Sequence, residues 1–368
     1  MSRLASALAD AGVEVGLWAP DASASSTPLL PPHSEVMRLE GSAADGLDDF
    51  GTPDILHDNG LWRAHNHRLS DLAESRRIPR IVSTRGMLEP WAMGHKSWKK
   101  RFAWRLYQRS DLGRAVAHHA TAAAEAANVE RFRLGVPVRM IPNGVDIPDV
   151  AQDFVAQSAD AEGVAAEGAA EWPPDPESAV RTAIFLGRIY PVKGLPMLVE
   201  AWARVRPAGW RLIIAGPDES GHRAVIERAV RAEGIGDSVA FAGPLLDTPK
   251  KTALLSADLF ILPTHSESFG MAIAEALAHG LPVLTTTGAP WPMLSRRGCG
   301  WSVNPTVEGI AEGLREATNL DSRTLGTMGA RGRAFVAEEF GWPQTAAQFI
   351  ELYHELRAGT GYRVPGNG

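Results

Sequence analysis

From Arg181 onward, short apolar runs bounded by glycine or proline alternate with amphipathic stretches. This alternation predicts a parallel sheet covered by helices on both faces. The expected strands fall at 183–186, 212–215, 239–242, 259–262 and 282–285. Between the first two, Leu195, Leu198, Val199, Trp202 and Val205 recur at helical spacing and predict a helix over 195–205. The N-terminal half repeats the theme, with strands expected at 13–18, 36–39, 55–57, 80–83 and 138–141. Ahead of them Leu4, Leu8 and Ala11 mark an amphipathic helix. A doubly wound domain that opens on this helix starts without its first strand.

The pattern breaks at 149–178, a stretch rich in Ala, Glu, Gly and Pro that reads as a linker with an inserted segment. The expected organisation is therefore a Rossmann-like domain over 1–148, the linker, a second Rossmann-like domain over 179–340, and a C-terminal helix and tail over 341–368. A length of 368 residues favours two globular domains, and 45% hydrophobic with 22% charged residues is the balance of a folded globular protein. A net charge of -6 argues against a general nucleic-acid binder. The single cysteine, Cys299, excludes an intramolecular disulfide and paired-thiol metal sites, which suits a reducing cytoplasm. No apolar run approaches the ~18 residues of a spanning helix, and no secretion leader is expected.

The chemistry concentrates at strand ends. The segment Leu262-Pro-Thr-His-Ser-Glu-Ser-Phe-Gly-Met-Ala-Ile-Ala-Glu275 leaves a buried strand and enters a helix, at the edge where open parallel sheets bind ligands. A helix starting near Ser268 aims the N–H groups of Phe269, Gly270 and Met271 at that edge, which suits an anion. Glu267 and Glu275 are eight positions apart, roughly 12 Å of helical rise, about the distance from the sugar of a nucleotide sugar to its ribose. Either carboxylate alone also fits an ordinary solvated helix position. The turn Gly187-Arg188-Ile-Tyr-Pro-Val-Lys193-Gly194 adds two cations at another strand end, Arg188 suited to bidentate phosphate contact and Lys193 to a mobile point charge. Together they suit a departing diphosphate.

These motifs resemble the donor site of family-four retaining glycosyltransferases of the GT-B fold, whose two Rossmann-like domains face each other across a cleft. The likeness extends to Ile214-Ala-Gly-Pro-Asp218, Phe241-Ala-Gly-Pro244, His57-Asp-Asn-Gly-Leu-Trp62, Arg85-Gly-Met-Leu-Glu-Pro-Trp91 and Ile141-Pro-Asn-Gly-Val-Asp146, and so runs through nearly the whole chain. The last three are similar to segments of enzymes that assemble bacterial exopolysaccharide and other surface glycans. The resemblance implies transfer of a hexosyl group from a nucleotide-diphosphate sugar to a glycan or polyprenyl-linked acceptor, with retention and without metal or cofactor. It assigns Arg188 and Lys193 to the diphosphate, Glu275 to the ribose, Glu267 to the transferred sugar, and main-chain groups near Gly270 to phosphate. It also implies that the C-terminal helix crosses back onto the first domain. The family normally opens with a strand and a glycine-rich loop, and the chain as given begins beyond both. Where many relatives carry a histidine after the strand at 80–83, this chain has Arg85, an acceptor-side candidate together with His57. Alternatives are a sugar-nucleotide epimerase and a non-catalytic nucleotide-sugar or glycan-binding relative.

The segment 95–109 is basic and aromatic at helical spacing. One reading makes Trp98, Phe102 and Leu106 a core face with solvated cations opposite. The other makes the segment an interfacial helix on anionic lipid, with the protein peripheral at the inner face of the membrane.

Overall fold

The computed structural model describes residues 2–20, 33–94, 97–148 and 180–359, so the expected linker at 149–178 lies outside the described residues. The chain divides into two units, one of residues 1–144 with 342–368 and one of residues 145–341.

In the second unit, β7 (Arg181–Leu186), β8 (Trp210–Ala215), β9 (Val239–Gly243), β10 (Leu259–Leu262), β11 (Val283–Thr286) and β12 (Gly300–Val303) form one parallel sheet. The spatial order is β12-β11-β10-β7-β8-β9. The chain starts in the middle, winds outward to β9, then returns to the other side of β7 with β10. The strand order thus reverses between β7 and β10. Ala183, Ile184 and Phe185 of β7 and Phe260 and Ile261 of β10 are fully buried, as a strand covered on both faces requires. The helix Leu195–Val205 forms where its spacing predicts, burying Leu195, Leu198, Val199 and Trp202 against the sheet. Each such side chain contributes about 1.5–3 kcal/mol by leaving water.

Among the described residues the first unit holds two parallel sheets. One pairs β1 (Val15–Trp18) with β2 (Val36–Leu39); the other runs β3 (Leu56–Asn59), β4 (Arg80–Ser83), β5 (Ala117–Ala120) and β6 (Val138–Met140). Consecutive residues of β4 face opposite ways, the period of a strand. Ile81 joins Leu4 and Leu8 of the helix Ser2–Asp10 and Phe349 and Leu352 of the helix Trp342–Gly359, while Val82 joins Leu61, Leu112 and Val129. At the start of that last helix Trp342 lies so close to Gly144 that a Cβ there would sit 2.4 Å from its ring.

Two strands escaped the hydrophobic pattern. The sequence of β5, Ala-His-His-Ala, contains no large apolar residue, and β12, Gly-Trp-Ser-Val, is a short edge strand.

Candidate functional site

The reversal point between β7 and β10 is where a doubly wound sheet opens a crevice for ligands. The two loops leaving these strands at their carboxyl ends carry the cations and carboxylates singled out from the sequence. Three contacts lock the loops together. Main-chain N–H of His265 donates to the Val192 carbonyl (2.8 Å), and Thr264 Oγ1 donates to the same oxygen (3.1 Å). Gly194 has φ +69°, and a Cβ there would stand 2.0 Å from the Pro263 carbonyl oxygen, so only glycine lets the backbones approach this closely. The third contact is an ion pair between Lys193 Nζ and Glu267 Oε1, whose side chains are only 14% and 12% exposed. A third loop supports it from β11, where the Gly288 carbonyl accepts from Glu267 N–H (2.9 Å).

Beyond this contact the chain turns through Gly270, at φ +85°, into the helix Met271–Ala278. The helix begins three residues later than expected near Ser268, which changes two assignments. Phe269 lies outside the helix and inside the core, its ring 5.4 Å from Trp291 and 5.6 Å from Phe340, with its carbonyl accepting from Trp291 Nε1. The groups at the open amino end are the N–H of Met271 and Ala272, since that of Ile273 already bonds the Gly270 carbonyl (2.9 Å). Helical rise therefore does not set the separation of Glu267 and Glu275, because only the portion from Met271 is helical. Hydrophobic patterning cannot see a left-handed glycine, and that residue moved the boundary.

Glu275 projects from this helix to Lys250 Nζ at 2.6 Å, both about a quarter exposed. Lys250 was not among the expected residues. It lies on the helix Asp247–Leu255 beside Lys251, where a lysine reads as an ordinary solvated position. Arg188 turns to a different partner, Glu219 (2.6 Å), and is more than half exposed. Lys193 and Arg188, though five residues apart on one loop, are thus held by different carboxylates. Each cation of the site already has an anionic partner and enough exposure for an incoming phosphate to replace it.

The acceptor-side candidates sit in the first unit and are tightly bonded. His57 Nε2 meets Ser83 Oγ (2.7 Å), Ser83 Oγ meets His119 Nδ1 (2.7 Å), and His119 Nε2 meets the Ile141 carbonyl (2.8 Å). At the other end His57 Nδ1 meets Tyr353 Oη (2.8 Å). With both rings neutral, as burial favours, the carbonyl's role as acceptor sets the direction of every bond in the chain. His119 donates from Nε2, Ser83 donates to His119, His57 donates from Nε2, and Tyr353 donates to His57. Burial pushes the pKa of His57 well below its ordinary value, with His119 and Arg85 adding to the effect, and lowers that of His119 to about 4. With both nitrogens engaged, His57 ties β3 to the C-terminal helix and offers no polar atom to an acceptor.

Arg85 follows β4 in the left-handed region, at φ +52°. Its guanidinium grips Asn59 (3.0 and 3.2 Å) and Asn143 (2.6 Å), so Asn143 is more than the turn residue its Asn-Gly sequence suggests. The loop under it is organised by Glu125, 2% exposed, which accepts from Thr84 Oγ1 (2.7 Å), Thr121 N (2.8 Å), Thr121 Oγ1 (2.7 Å) and Gly86 N. Among the described residues one cluster has metal-ligand character: His67, Asp71 and Asp111, with ligand atoms within 4.8 Å of one another. Arg114 already bridges its two carboxylates, at 2.9 Å to Asp71 and 2.5 Å to Asp111, so their charge is compensated from within the protein.

Residues 180–319 match the family described as glycosyl transferases group 1, and residues 1–144 match the glycosyl transferase 4-like domain. The chain is 30% identical over 181 residues to a GDP-mannose:cellobiosyl-diphosphopolyprenol alpha-mannosyltransferase of Komagataeibacter xylinus, a match that covers 48% of this chain and 46% of that one. It is 26% identical over 97% of its length to a D-inositol 3-phosphate glycosyltransferase of Streptomyces bingchenggensis, covering 84% of that protein. Among solved structures, sucrose-phosphate synthase from Thermosynechococcus elongatus superposes with a TM-score of 0.70 at 20% identity, covering 97% of this chain and 92% of the other. The two Rossmann-like domains have the architecture of the GT-B fold.

Proposed function

We propose, from the premise that this chain belongs to the GT-B glycosyltransferases, that it moves a hexosyl group from a nucleotide-diphosphate sugar to a glycan or polyprenyl-linked glycan with retention of configuration. The observation that carries the reading is the locked pair of loops at the strand-order reversal, which brings Lys193 to Glu267 directly before a helix amino end. In this reading the donor diphosphate lies against Lys193, Arg188 and the N–H groups of Met271 and Ala272. Lys193 and Arg188 supply countercharge as the nucleoside diphosphate leaves, so charge complementarity develops where the reaction needs it. Glu267, released from Lys193 by the incoming phosphate, turns to the hydroxyls of the transferred sugar. Glu275 accepts from the ribose hydroxyls.

Retention follows from attack on the face the leaving group departs from. The acceptor hydroxyl forms the new C–O bond as the anomeric carbon–phosphate oxygen bond breaks, and its proton passes to the departing phosphate. No side chain is consumed and no covalent sugar–enzyme intermediate forms. The countercharge comes from side chains and a helix end, so no metal is assigned. A single buried thiol, Cys299, and a nucleotide-sugar donor suit a cytoplasmic setting. The acceptor is assigned to the surface-glycan class, as in exopolysaccharide assembly.

The test is to incubate the protein with UDP-, GDP- and ADP-hexoses, each with and without lipid-linked glycan acceptors, and to resolve the anomeric configuration of the product. Acceptor-dependent release of nucleoside diphosphate with a retained linkage is expected. Donor conversion that needs no acceptor and yields an isomeric nucleotide sugar would overturn the proposal.

A further inference from the structure

Between Trp91 and Ser110 the sequence carries six Lys or Arg and no carboxylate, in a chain whose net charge is -6. The structure makes most of this stretch one helical column, an α-helical turn Ser97–Ala103, a π-helical turn Trp104–Gln108 and an α-helical turn Arg109–Gly113. Its inward face is not the one that helical spacing of the large apolar residues suggests. Trp104 packs on Phe132 (4.7 Å between ring centroids) and Trp62 (6.3 Å), Gln108 accepts from Trp62 N–H (2.9 Å), and Leu112 is 1% exposed. That inward face turns Trp98, Phe102 and Leu106 outward.

These three are 71%, 68% and 68% exposed, the highest values of any large apolar side chain among the described residues. They stand four residues apart, one above another on a single face. The core-face reading of this stripe is therefore wrong. An apolar row of this size in water marks an interaction surface. Lys99, Arg101 and Arg105 are exposed beside it, and Lys99 Nζ lies 5.4 Å over the Trp98 ring.

We propose that this helix face docks on an anionic lipid surface, with Trp98, Phe102 and Leu106 entering the headgroup boundary and Lys99, Arg101 and Arg105 bonding phosphate oxygens. Two features favour lipid. A second copy laid on the same face would bring two sets of cations together with no carboxylate on the segment to separate them. A bilayer offers apolar depth and negative charge at once, which matches an aromatic and aliphatic row bordered by cations. The net negative charge of the whole chain disfavours a flat approach by other faces and so orients docking through this one. The surface involves none of the donor-site residues and stands whether or not the transfer reaction is correct.

The test is co-sedimentation of the full chain with vesicles of phosphatidylcholine alone and of phosphatidylcholine with phosphatidylglycerol, at low and high salt. Binding is expected only with the anionic lipid, weakening as salt screens it. The variant Lys99→Gln/Arg101→Gln/Arg105→Gln should lower partitioning on the order of a hundredfold. The variant Trp98→Ser/Phe102→Ser/Leu106→Ser should abolish it, while both keep the melting temperature and donor-induced thermal shift of the parent. Negligible sedimentation with both vesicle types overturns the proposal. So does unchanged binding by either variant, or concentration-dependent self-association that the serine variant abolishes without any vesicle binding.

Discussion

The two units manage polar groups in opposite ways. At the reversal point of the second unit, Lys193, Glu267, Lys250 and Glu275 are paired but between 12% and 28% exposed, on loops and helix faces at the edge of an apolar sheet. In the first unit, Ser83 and His119 lie inside the sheet, and the whole run from Tyr353 to the Ile141 carbonyl has each proton committed. An ion pair that reaches solvent at a sheet edge can exchange one partner for a charged ligand. A buried, fully satisfied chain cannot lose a member without leaving a neighbour unbonded, so it holds structure. Titratable groups gathered at strand ends are thus not equivalent evidence for a site. Their freedom to change partners separates the two cases.

The sharpest way to break this contrast is Lys193→Ala or Glu267→Ala. Either should lower kcat by about a hundredfold to a thousandfold with the melting temperature nearly unchanged, since a lost charge contact is felt where charge develops. Wild-type turnover in both would remove the reversal point as the site.

The next effect concerns pH. His119 has a folded-state pKa of about 4 against an ordinary 6.5, because burial disfavours its cation. As pH falls through this window the unfolded chain takes up the proton first, so the contribution of His119 is complete above about 6.5 and is lost towards 4, by about 3 kcal/mol. Denaturant titrations at several pH values should show the loss, and His119→Gln should make it shallower, the remainder belonging to His57 and His118, whose pKa values burial also lowers. An equally steep profile in that variant would place the titrating group elsewhere.

Gly194→Ala sharpens the role of loop contact. The added methyl meets the Pro263 carbonyl oxygen in a left-handed backbone, a strain of about 2 kcal/mol. It should also separate Lys193 from Glu267, so donor affinity measured by calorimetry should fall more than stability does. Tyr353→Phe is expected to be the smallest change. It leaves His57 Nδ1 without its donor and should lower stability by about 1–2 kcal/mol with kcat unaltered. A collapse of kcat in Tyr353→Phe at unchanged stability would make the histidine chain part of the chemistry and erase the contrast between the units.

Much of this was legible in the residues. β2, β4 and β10 fall on their expected ranges because apolar runs between turn formers specify buried strands. The pairing of the 187–194 turn with the 262–275 segment followed from strand-end placement alone. β5 was invisible because its buried side chains are histidines, His118 bonding the nearby Leu112 carbonyl and His119 bonding Ser83 and the Ile141 carbonyl from farther along the chain. Lys250 was invisible because nothing in a lysine pair on a helix announces a glutamate on another helix.

The hydrophobic period and the placement of glycine and proline determined, unaided, which segments become strands and helices, and with them the parallel architecture and the edge that carries the charged loops. Only the tertiary structure decided which groups meet, where the helix after Gly270 begins, and which way the helix bearing Trp98 turns. The physical reason is range. Backbone preference and burial period act over a few neighbouring residues, whereas ion pairing, proton assignment and the outward face of a helix depend on groups from far along the chain arriving at one place.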